Sequence, residues 1–345
     1  IITKKISNLN PSFQFDNFII GASNQFAYVT SMGAAKNPGK EFNPLVIYGS
    51  VGLGKTHLLQ AIGNYSPKNN IICITAEHFT NEFTNSIINK NISSKNMQSF
   101  KEKYRNCDIL LIDDIQFISG KFGVQEEFFH TFNELHSKSI QIVLTSDKKP
   151  NDIEGLEERL KSRFEMGITA NIKQPELETK INIIKKKCEL DNIIISNEVT
   201  VYIATNLDSN IREIEGVLIK LNAYANMLNQ EITLEFTKNI LKEHITKSKN
   251  KITIELILNT VSKTLNIKPS EIKSKSKNKQ IAEARRITIF LSREFTKYSM
   301  PTLAKFFLMK DHSSISHAIR KIKKDIKTIE DYNNKIEKIK SLLLK

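Results

Sequence analysis

The sequence predicts an α/β protein: a parallel sheet with helices on both faces, followed by a helical lid and an all-α domain that contains a helix-turn-helix. Short apolar runs alternate with helical patterns in the first half of the chain, which is typical of a parallel sheet covered on both faces. A glycine-rich loop joins one of these strands to a helix. From Glu176 onward the strand patterns stop, and helical periodicity continues to the end of the chain.

The elements can be placed in chain order. Residues 1–10 are polar and are expected to be unstructured, and Ser23 is expected to cap the first helix. Strands are predicted at residues 45–48, 71–74, 108–114 and 140–145. Helices are predicted at residues 23–35, after Thr56, and at 77–89, 95–105 and 126–137. Later helices are predicted at 176–190, 196–207, 211–228, 234–246, 254–265, 279–297, 301–307 and 313–328, before a tail helix.

The glycine-rich loop lies between the apolar run 45–48 and a helical segment. Its pattern, Gly49-x-x-x-x-Gly54-Lys55-Thr56, is that of a phosphate-binding P-loop in the required strand-to-helix context. Glycines let backbone N–H groups close around a polyphosphate, and the following helix presents its positive end to the same anion. A lysine here neutralises phosphate oxygens, and the threonine hydroxyl can ligate magnesium. The residues expected to bind the nucleotide are Gly49, Gly52, Gly54, Lys55 and Thr56.

Acidic residues end two of the predicted strands. Asp113 follows an apolar run and could hold the magnesium ion bound by the phosphates, and Asp114 could orient or deprotonate an attacking water. Asp147 follows the next strand and could either sense the γ-phosphate through water or cap a turn. Since ligands of parallel sheets bind at the carboxyl ends of the strands, these residues are expected beside the P-loop.

Three arginines could stabilise charge on a transferring phosphoryl group. Arg159 and Arg163 are four residues apart, on one face if the segment is helical, and Arg212 begins a predicted lid helix. On spacing alone, a surface ion pair is the simpler explanation for each arginine.

The composition excludes several classes of protein. The three cysteines are far apart and show no metal-ligand spacing, which argues against a disulfide scaffold or a zinc site and suits a reducing cytoplasm. No apolar run is long enough to span a membrane, and the start of the chain does not read as a signal peptide. Because the chain begins at Ile1 rather than at a methionine, it is expected to be a fragment.

The positive charge is concentrated at the end of the chain. Residues 251–345 carry 22 basic and 9 acidic side chains, whereas residues 1–250 carry 29 and 28. A separate basic module indicates a polyanionic partner, most simply nucleic acid. The expected domains are a nucleotide-binding core (1–172), a helical lid with a linker helix (173–250) and a DNA-binding domain (251–345).

A helix-turn-helix is the predicted arrangement of residues 301–320. Its second helix would offer polar side chains to base edges in the major groove, with Ile315 and Ile319 facing inward. The basic run that includes Lys275 and Lys277 would contact phosphates, which gives affinity without sequence information. A plain helical bundle produces the same periodicity and stays an alternative on the pattern alone.

Taken together, the motifs resemble those of the DnaA family, the bacterial initiators of chromosome replication, which are AAA+ ATPases. The resemblance covers nearly the whole chain and includes several motifs in family order. These are residues 15–25, 43–58, 111–117, 125–133, 144–147, 159–164, 210–216 and 311–318.

The resemblance implies roles for individual residues. The P-loop residues would bind ATP or ADP with Mg²⁺ held by Thr56 and Asp113, while Asp114 would polarise water. Asp147 and Arg212 would be the two γ-phosphate sensors, and Arg163 the arginine finger given in trans to a neighbour. Ile20 and Asn24 would lie near the adenine. Helix 77–88 and Lys121 would contact single-stranded DNA. Duplex DNA would be read by Arg285, Lys310, Asp311, His312, Ser313, Ser314 and His317.

The resemblance also implies a function. The chain would bind duplex sites at a replication origin, assemble as an ATP-bound filament and melt an A·T-rich region, with slow ATP hydrolysis serving as a switch. It would also act as a transcription regulator in some settings, bind acidic phospholipids weakly through the linker helix, and contact a helicase through an N-terminal domain that this chain lacks. Two rival interpretations are a helicase loader or regulatory paralogue without duplex recognition, which the basic module argues against, and a transcription regulator.

Three positions depart from the family pattern. Family members usually carry two glycines and an arginine where this chain has Leu308, Met309 and Lys310, so the turn loses its permissive residues. Ser313 and Ser314 replace two threonines, and Gly123 stands where a basic residue often grips single-stranded DNA. We expect retained function with altered or relaxed affinity for the duplex site.

Overall fold

A computed structural model describes residues 5–7, 9–66, 70–88, 93–207, 210–249, 253–274, 276, 278–296, 298–309, 311–328 and 330–343. These residues belong to two compact units, Ile1–Lys242 and Glu243–Lys345. No helix in the described part of the chain is long and apolar enough to cross a membrane.

The first unit is built on a parallel six-stranded sheet. Its strands are β1 (Lys5–Ser7), β2 (Leu45–Tyr48), β3 (Asn70–Thr75), β4 (Ile109–Asp113), β5 (Gln141–Ser146) and β6 (Ile168–Asn171), in the spatial order β1-β3-β4-β5-β2-β6. Leu45 pairs with Val143 on one side and with Ile168 on the other. The strand before the P-loop is therefore internal, and its carboxyl end lies beside that of β5.

Helices cover both faces of this sheet. They are α1 (Gln25–Lys36), α2 (Lys55–Tyr65), α3 (Ala76–Ile88), α4 (Ser93–Arg105), α5 (Phe122–Ser137) and α6 (Glu158–Glu165). Leu45 and Ile47 belong to the apolar cluster that contains α1 and α2, whereas Val46 belongs to the cluster of Phe128 and Phe132 on α5. Successive side chains of β2 thus point into two different cores, as the period of a strand requires. The fold class expected from the sequence is confirmed.

Four further helices follow the sheet: α7 (Leu177–Leu190), α8 (Asn197–Asn206), α9 (Ile211–Leu228) and α10 (Leu234–Lys249). Helix α7 packs against both α8 and α9, and these three helices form the lid. Ser196 caps α8 by accepting a hydrogen bond from the amide of Val199, and Asn210 caps α9 by accepting one from Arg212. Both caps satisfy amide groups that the first turn of a helix leaves without an internal partner.

The second unit consists of helices. They are α11 (Ile254–Leu265), α12 (Pro269–Lys273), α13 (Lys279–Phe295), α14 (Met300–Phe306), α15 (His312–Thr328) and α16 (Glu330–Leu343). Ile315 and Ile319 are buried in its core, as predicted, together with Leu303 of α14. Helices α14 and α15 are joined by a short turn and form the expected helix-turn-helix.

Some expectations about the chain were wrong. Residues 5–7 are not unstructured but form β1, which pairs with β3 through Lys5 and Asn70. The first helix begins at Gln25 with Asn24 in the capping position, so Ser23 is not its cap. Strand β6 and helix α12 were not predicted, because these short segments of mixed polarity lack the continuous apolar run that identifies β2.

Candidate functional site

The backbone of the P-loop is tightly curved and contacts the lid. Gly52 and Gly54 have φ angles of 77° and 92°, which side chains rarely adopt. A Cβ on Gly52 would lie 1.8 Å from Oδ1 of Asn210, the residue that caps α9. The amide of Ile211 also donates a 2.9 Å hydrogen bond to the carbonyl of Gly52. The phosphate loop and the start of α9 are therefore joined directly.

Lys55 supplies the cation of this loop. Its Nζ donates hydrogen bonds to the carbonyl oxygens of Gly49 (2.8 Å) and Ser50 (3.0 Å). Burial of the ammonium lowers its pKa, while the nearby carboxylates of Asp114 and Asp113 act in the opposite direction. These carbonyl groups hold the ammonium where phosphate oxygens could replace them as acceptors.

Asp113 and Thr56 form the part of the site that suits a magnesium ion. Thr56 Oγ1 donates to Oδ2 of Asp113 over 2.8 Å, and Thr145 Oγ1 donates to Oδ1 of the same carboxylate. Burial raises the pKa of Asp113, and the two hydroxyl groups act against this by stabilising the ionised form. A hydroxyl and a carboxylate are hard oxygen ligands, and Mg²⁺ is usually held by one or two such groups together with phosphates. The donor set fits the ion.

A hydrogen-bonded chain connects the other two acids. The amide of Asp114 donates to Thr145 Oγ1 over 2.8 Å, and Nε2 of Gln116 donates to Oδ1 of Asp114 over 3.0 Å. Oε1 of the same glutamine accepts from the amide of Asp147 over 3.3 Å. Oδ1 of Asp147 is buried, and no residue in the described ranges hydrogen-bonds to it. Gln116 was not among the predicted site residues, although it lies in one of the motifs.

A cavity of about 450 Å³ lies between the sheet and the lid. Such a volume lies within the usual range of small-molecule sites. Of the predicted residues, it is lined by Asn24, Gly52, Gly54, Lys55, Thr56, Asp114, Asp147 and Arg212. Ile20 is not among the lining residues and is about half exposed, and its neighbour Ile19 lines the cavity instead.

Part of the cavity lining is apolar. Phe13, Phe18 and Ile183 form this part, together with His57. Nε2 of His57 lies 2.8 Å from the carbonyl oxygen of Gln14, which can only accept, so this nitrogen carries the proton. Burial lowers the pKa of His57, which keeps the ring neutral near pH 7. Neutral aromatic surface of this kind suits the flat face of a base.

The lid contributes charged groups that sequence reasoning missed. Lys186, Lys187 and Glu215 line the cavity with Arg212. Lys187 forms a 2.5 Å ion pair with Glu215 and so connects α7 to α9. Adjacent lysines in a helical pattern gave no signal that separates this role from an ordinary solvated face.

Besides Ile20, four predicted residues of the first unit do not line the cavity, namely Gly49, Asp113, Arg163 and Lys121. Arg163 is on α6, where its guanidinium carbon lies 5.8 Å from the ring centroid of Phe129. It is not a lining residue of the nucleotide cavity of its own chain. Lys121 immediately precedes α5 and is exposed, next to Phe122, which is 72% exposed.

In the second unit, α15 presents a polar face. Ser313 and His317 are exposed, whereas Ile315 and Ala318 are buried. Asp311 Oδ1 accepts hydrogen bonds from Ser313 Oγ (2.6 Å) and from the amide of Ser314 (3.0 Å) and its Oγ (3.1 Å), so Asp311 acts as the cap of α15. These bonds lower the pKa of Asp311 to about 2. Lys275, Lys277 and Lys310 lie outside the described residues, as does the side chain of His312.

Arg285 has a local structural role. Its Nε donates to the carbonyl of Ile272 over 2.8 Å, and its Nη2 donates to that of Ser276 over 3.1 Å. Partial burial lowers its pKa. The guanidinium therefore binds the backbone on both sides of the end of α12, and Ser276 lies within the basic run.

Comparison with known families decides the identity of the chain. The family described as the bacterial DnaA ATPase domain matches residues 9–171, and the bacterial DnaA helix-turn-helix family matches residues 254–322. The chain belongs to the DnaA family of chromosomal replication initiators.

Individual DnaA proteins are similar over nearly the whole chain. The chromosomal replication initiator protein DnaA of Wolinella succinogenes is 58% identical over 340 residues, which are 98% of this chain and 77% of that protein. The DnaA protein of Campylobacter fetus is 55% identical over 342 residues, with coverage of 99% and 77%.

Solved structures of DnaA proteins are also similar to this chain. An AMPPCP-bound DnaA from Aquifex aeolicus matches with a TM-score of 0.67 and 31% identity, covering 98% of each chain. A DnaA bound to AMPPCP and single-stranded DNA matches with a TM-score of 0.65 and 34% identity, covering 96% of this chain and 100% of that one. The expected family and function are confirmed: the chain is a DnaA-type replication initiator with an ATPase domain and a DNA-binding helix-turn-helix domain.

Proposed function

We propose that this initiator is switched by ATP, which binds with Mg²⁺ in the cavity between the sheet and the lid. The observation that carries the proposal is the direct contact between the P-loop and the start of α9, through the carbonyl of Gly52 and the amide of Ile211. A ligand that fills the loop also meets Arg212, in the first turn of the same helix. In this proposal, binding of the terminal phosphate changes the position of the lid through α9.

Each residue at the phosphate end has a role in this proposal. Lys55 transfers its hydrogen bonds from carbonyl groups to phosphate oxygens, and loop amides bind the polyphosphate. Thr56 and Asp113 would hold Mg²⁺, which supplies charge neutralisation at the phosphates. Asp114, oriented by Gln116, accepts a hydrogen bond from the attacking water, and Asp147 and Arg212 contact the γ-phosphate. Gly49 shapes the loop, and Asn24, which bonds to Gly21 and Ile19, shapes the base end.

The proposed assembly uses Arg163. A guanidinium that does not line the cavity of its own chain is available for the nucleotide of a neighbouring copy. The site is then complete only between two protomers. The relatives solved with AMPPCP support a nucleotide in this cavity, and hydrolysis in the assembled site would end the ATP-bound state.

DNA contacts fall on both units. The duplex is held by the second unit through the exposed face of α15, with Ser313, Ser314 and His317, and through Lys275, Lys277, Lys310 and His312. Asp311 and Arg285 support that surface. A second site, for single-stranded DNA, is proposed near Lys121 and α3 of the first unit. The relative solved with single-stranded DNA supports binding of that form of DNA. The proposed domains are 1–172, 173–250 and 251–345.

The experiment compares complexes of the full chain on duplex origin DNA with ATP and with ADP. We expect ATP to give larger, cooperative complexes at protein concentrations where ADP gives only site-bound protein. Arg163→Ala should bind ATP with normal affinity. With ATP, however, it should form only the site-bound complexes that the parent forms with ADP. Identical complexes with both nucleotides would disprove the switch. Equal binding to origin duplex and to random duplex at physiological salt would disprove sequence-specific recognition of the duplex.

A further inference from the structure

Phe129 of α5 lies beneath two arginines of α6. The guanidinium carbon of Arg159 is 4.8 Å from the centroid of the Phe129 ring, and that of Arg163 is 5.8 Å away. Both distances are within the roughly 6 Å over which a cation is attracted to an aromatic face. The ring is half-buried and packs against the apolar cluster between the sheet and α5, so it is a fixed platform.

The two arginines are held differently. Arg159 also contacts the carboxylate of Glu157 through its Nε, which compensates its charge. Arg163 donates from Nη1 to the sulfur of Met166 over 3.2 Å, and no carboxylate in the described ranges forms an ion pair with it. A thioether is a weak acceptor. The Phe129 ring is therefore an important constraint on Arg163, and it leaves most guanidinium donors unused.

We propose that Phe129 is a positioning residue for Arg163, and this inference rests on the proposed role of Arg163 in trans. The ring holds the guanidinium in one orientation before a neighbour arrives. A long arginine side chain loses much rotamer freedom when it is ordered at an interface, and ordering it beforehand removes that loss from the assembly step. The ring also lets two like charges, one helical turn apart, share the same face of α6.

The test uses ATP-dependent assembly of the full chain, followed by sedimentation without DNA. One exposed cation–π contact changes an equilibrium by about two- to fivefold, so Phe129→Leu should raise the protein concentration for half-assembly by about the same factor. Phe129→Tyr keeps an aromatic face and should assemble within about twofold of the parent. ATP affinity should be unchanged in both variants, since Phe129 does not line the cavity. Phe122→Leu, on the same helix, is the matched control and should assemble normally.

A double variant separates positioning from general weakening of the interface. If Phe129 acts through Arg163, Phe129→Leu should have no further effect in an Arg163→Ala background. An equal effect in both backgrounds, or poor assembly of Phe129→Tyr, would overturn the positioning role. Normal assembly of Phe129→Leu beside defective Arg163→Ala would overturn it while the role of Arg163 in trans survives. Normal assembly of Arg163→Ala would overturn both.

Discussion

The hydroxyl of Thr56, at the start of α2, donates a 2.8 Å hydrogen bond to the carboxylate of Asp113, at the end of β4. The contact joins residues 57 positions apart in the chain and places the two predicted magnesium ligands side by side. It forms because β2 and β4 both flank β5, so their carboxyl ends open on the same edge of the sheet.

The first prediction concerns this pair. Because burial raises the pKa of Asp113, its ionised form destabilises the fold at neutral pH, and Asp113→Asn should leave the ligand-free protein equally stable or up to about 1 kcal/mol more stable. The gain should shrink as the pH falls through the raised pKa of the native carboxyl toward the unfolded value of about 3.9. Stabilisation by ATP and Mg²⁺, about 2.7 kcal/mol at a hundredfold excess over Kd, should be lost.

Thermal unfolding with and without nucleotide measures both effects. Asp152→Asn, an exposed change of the same chemistry, is the control and should keep the full stabilisation by ATP. A variant at Asp113 that kept the Mg²⁺-dependent part of that stabilisation would show that this carboxylate does not hold the ion.

The second prediction concerns the lid. Arg212→Ala should weaken ATP binding by about 1.5–3 kcal/mol, the range for hydrogen bonds to charged groups, and should leave ADP binding within about threefold. The reason is that Arg212 is proposed to reach the γ-phosphate, which ADP lacks. Titration of both nucleotides gives the two affinities.

Lys220→Ala is the matched control for Arg212. It removes a cation from the same helix, where Lys220 lies 5.9 Å from the ring of Tyr224, and it is not among the residues that line the cavity. Equal losses of ATP and ADP affinity in Arg212→Ala would show that the arginine holds the lid and does not sense the terminal phosphate.

Much of the site could be predicted because its signals are local. The P-loop pattern, the acids at strand ends and the first turn of α9 each lie within a few residues, and the structure brings Lys55, Asp114 and Arg212 to one cavity. Gln116 could not be found in this way, since its role depends on a contact with Asp147, which is distant in sequence. The Lys187–Glu215 ion pair depends on how α7 packs against α9 and gives no local signal.

The same contrast holds for the fold. Two elements begin and end at the predicted residues, strand Leu45–Tyr48 and helix Ile254–Leu265. The strand is a continuous apolar run, and the helix has an apolar face along its length. Strand β1 has three residues and is stabilised by its pairing with β3. Its formation depends on a partner strand that is distant in sequence, and local β-propensity does not reveal such a partner. The resemblance implies that Arg285 contacts DNA, and the structure adds a local role that the sequence did not reveal, because two of its donors bind carbonyl groups nearby.

The third prediction is a pH dependence at the cap of α15. A carboxyl whose pKa is lowered in the folded state stabilises the fold fully above its unfolded value of about 3.9. That stabilisation is lost as the pH falls through the folded value, which for Asp311 is about 2. The amide resonance of Ser314, which donates to Asp311, should therefore titrate near pH 2 and not near pH 4.

NMR titration of the full chain tests this, with Asp311→Asn and Asp311→Ala as variants. The asparagine keeps an acceptor oxygen, so its Ser314 amide should stay bonded and should not titrate. The alanine should fray the first turn of α15 and weaken duplex binding. Titration of the Ser314 amide near 3.9 in the parent would mean that the cap is not formed in solution.

The last prediction concerns the turn of the helix-turn-helix. Leu308 has a φ of 52°, a left-handed conformation that costs a β-carbon-bearing residue about 1–2 kcal/mol. The amides of Leu308 and Met309 donate to the carbonyls of Lys305 and Ala304, which is the bonding pattern of a helix end that normally uses glycine. The resemblance to the DnaA family implies two glycines here, whereas this chain forms the turn with a leucine in the left-handed conformation.

Leu308→Gly should therefore stabilise the second unit by about 0.5–1 kcal/mol, since relief of the strain exceeds the entropy that glycine adds to the unfolded chain. Little packing is lost, because Leu308 is 58% exposed. Amide exchange in α14 and α15 of the full chain measures the change. Leu308→Asn should recover part of the gain, and Leu308→Val, which is β-branched, should lose stability. A less stable glycine variant would mean that the leucine side chain supplies contacts that outweigh its strained backbone.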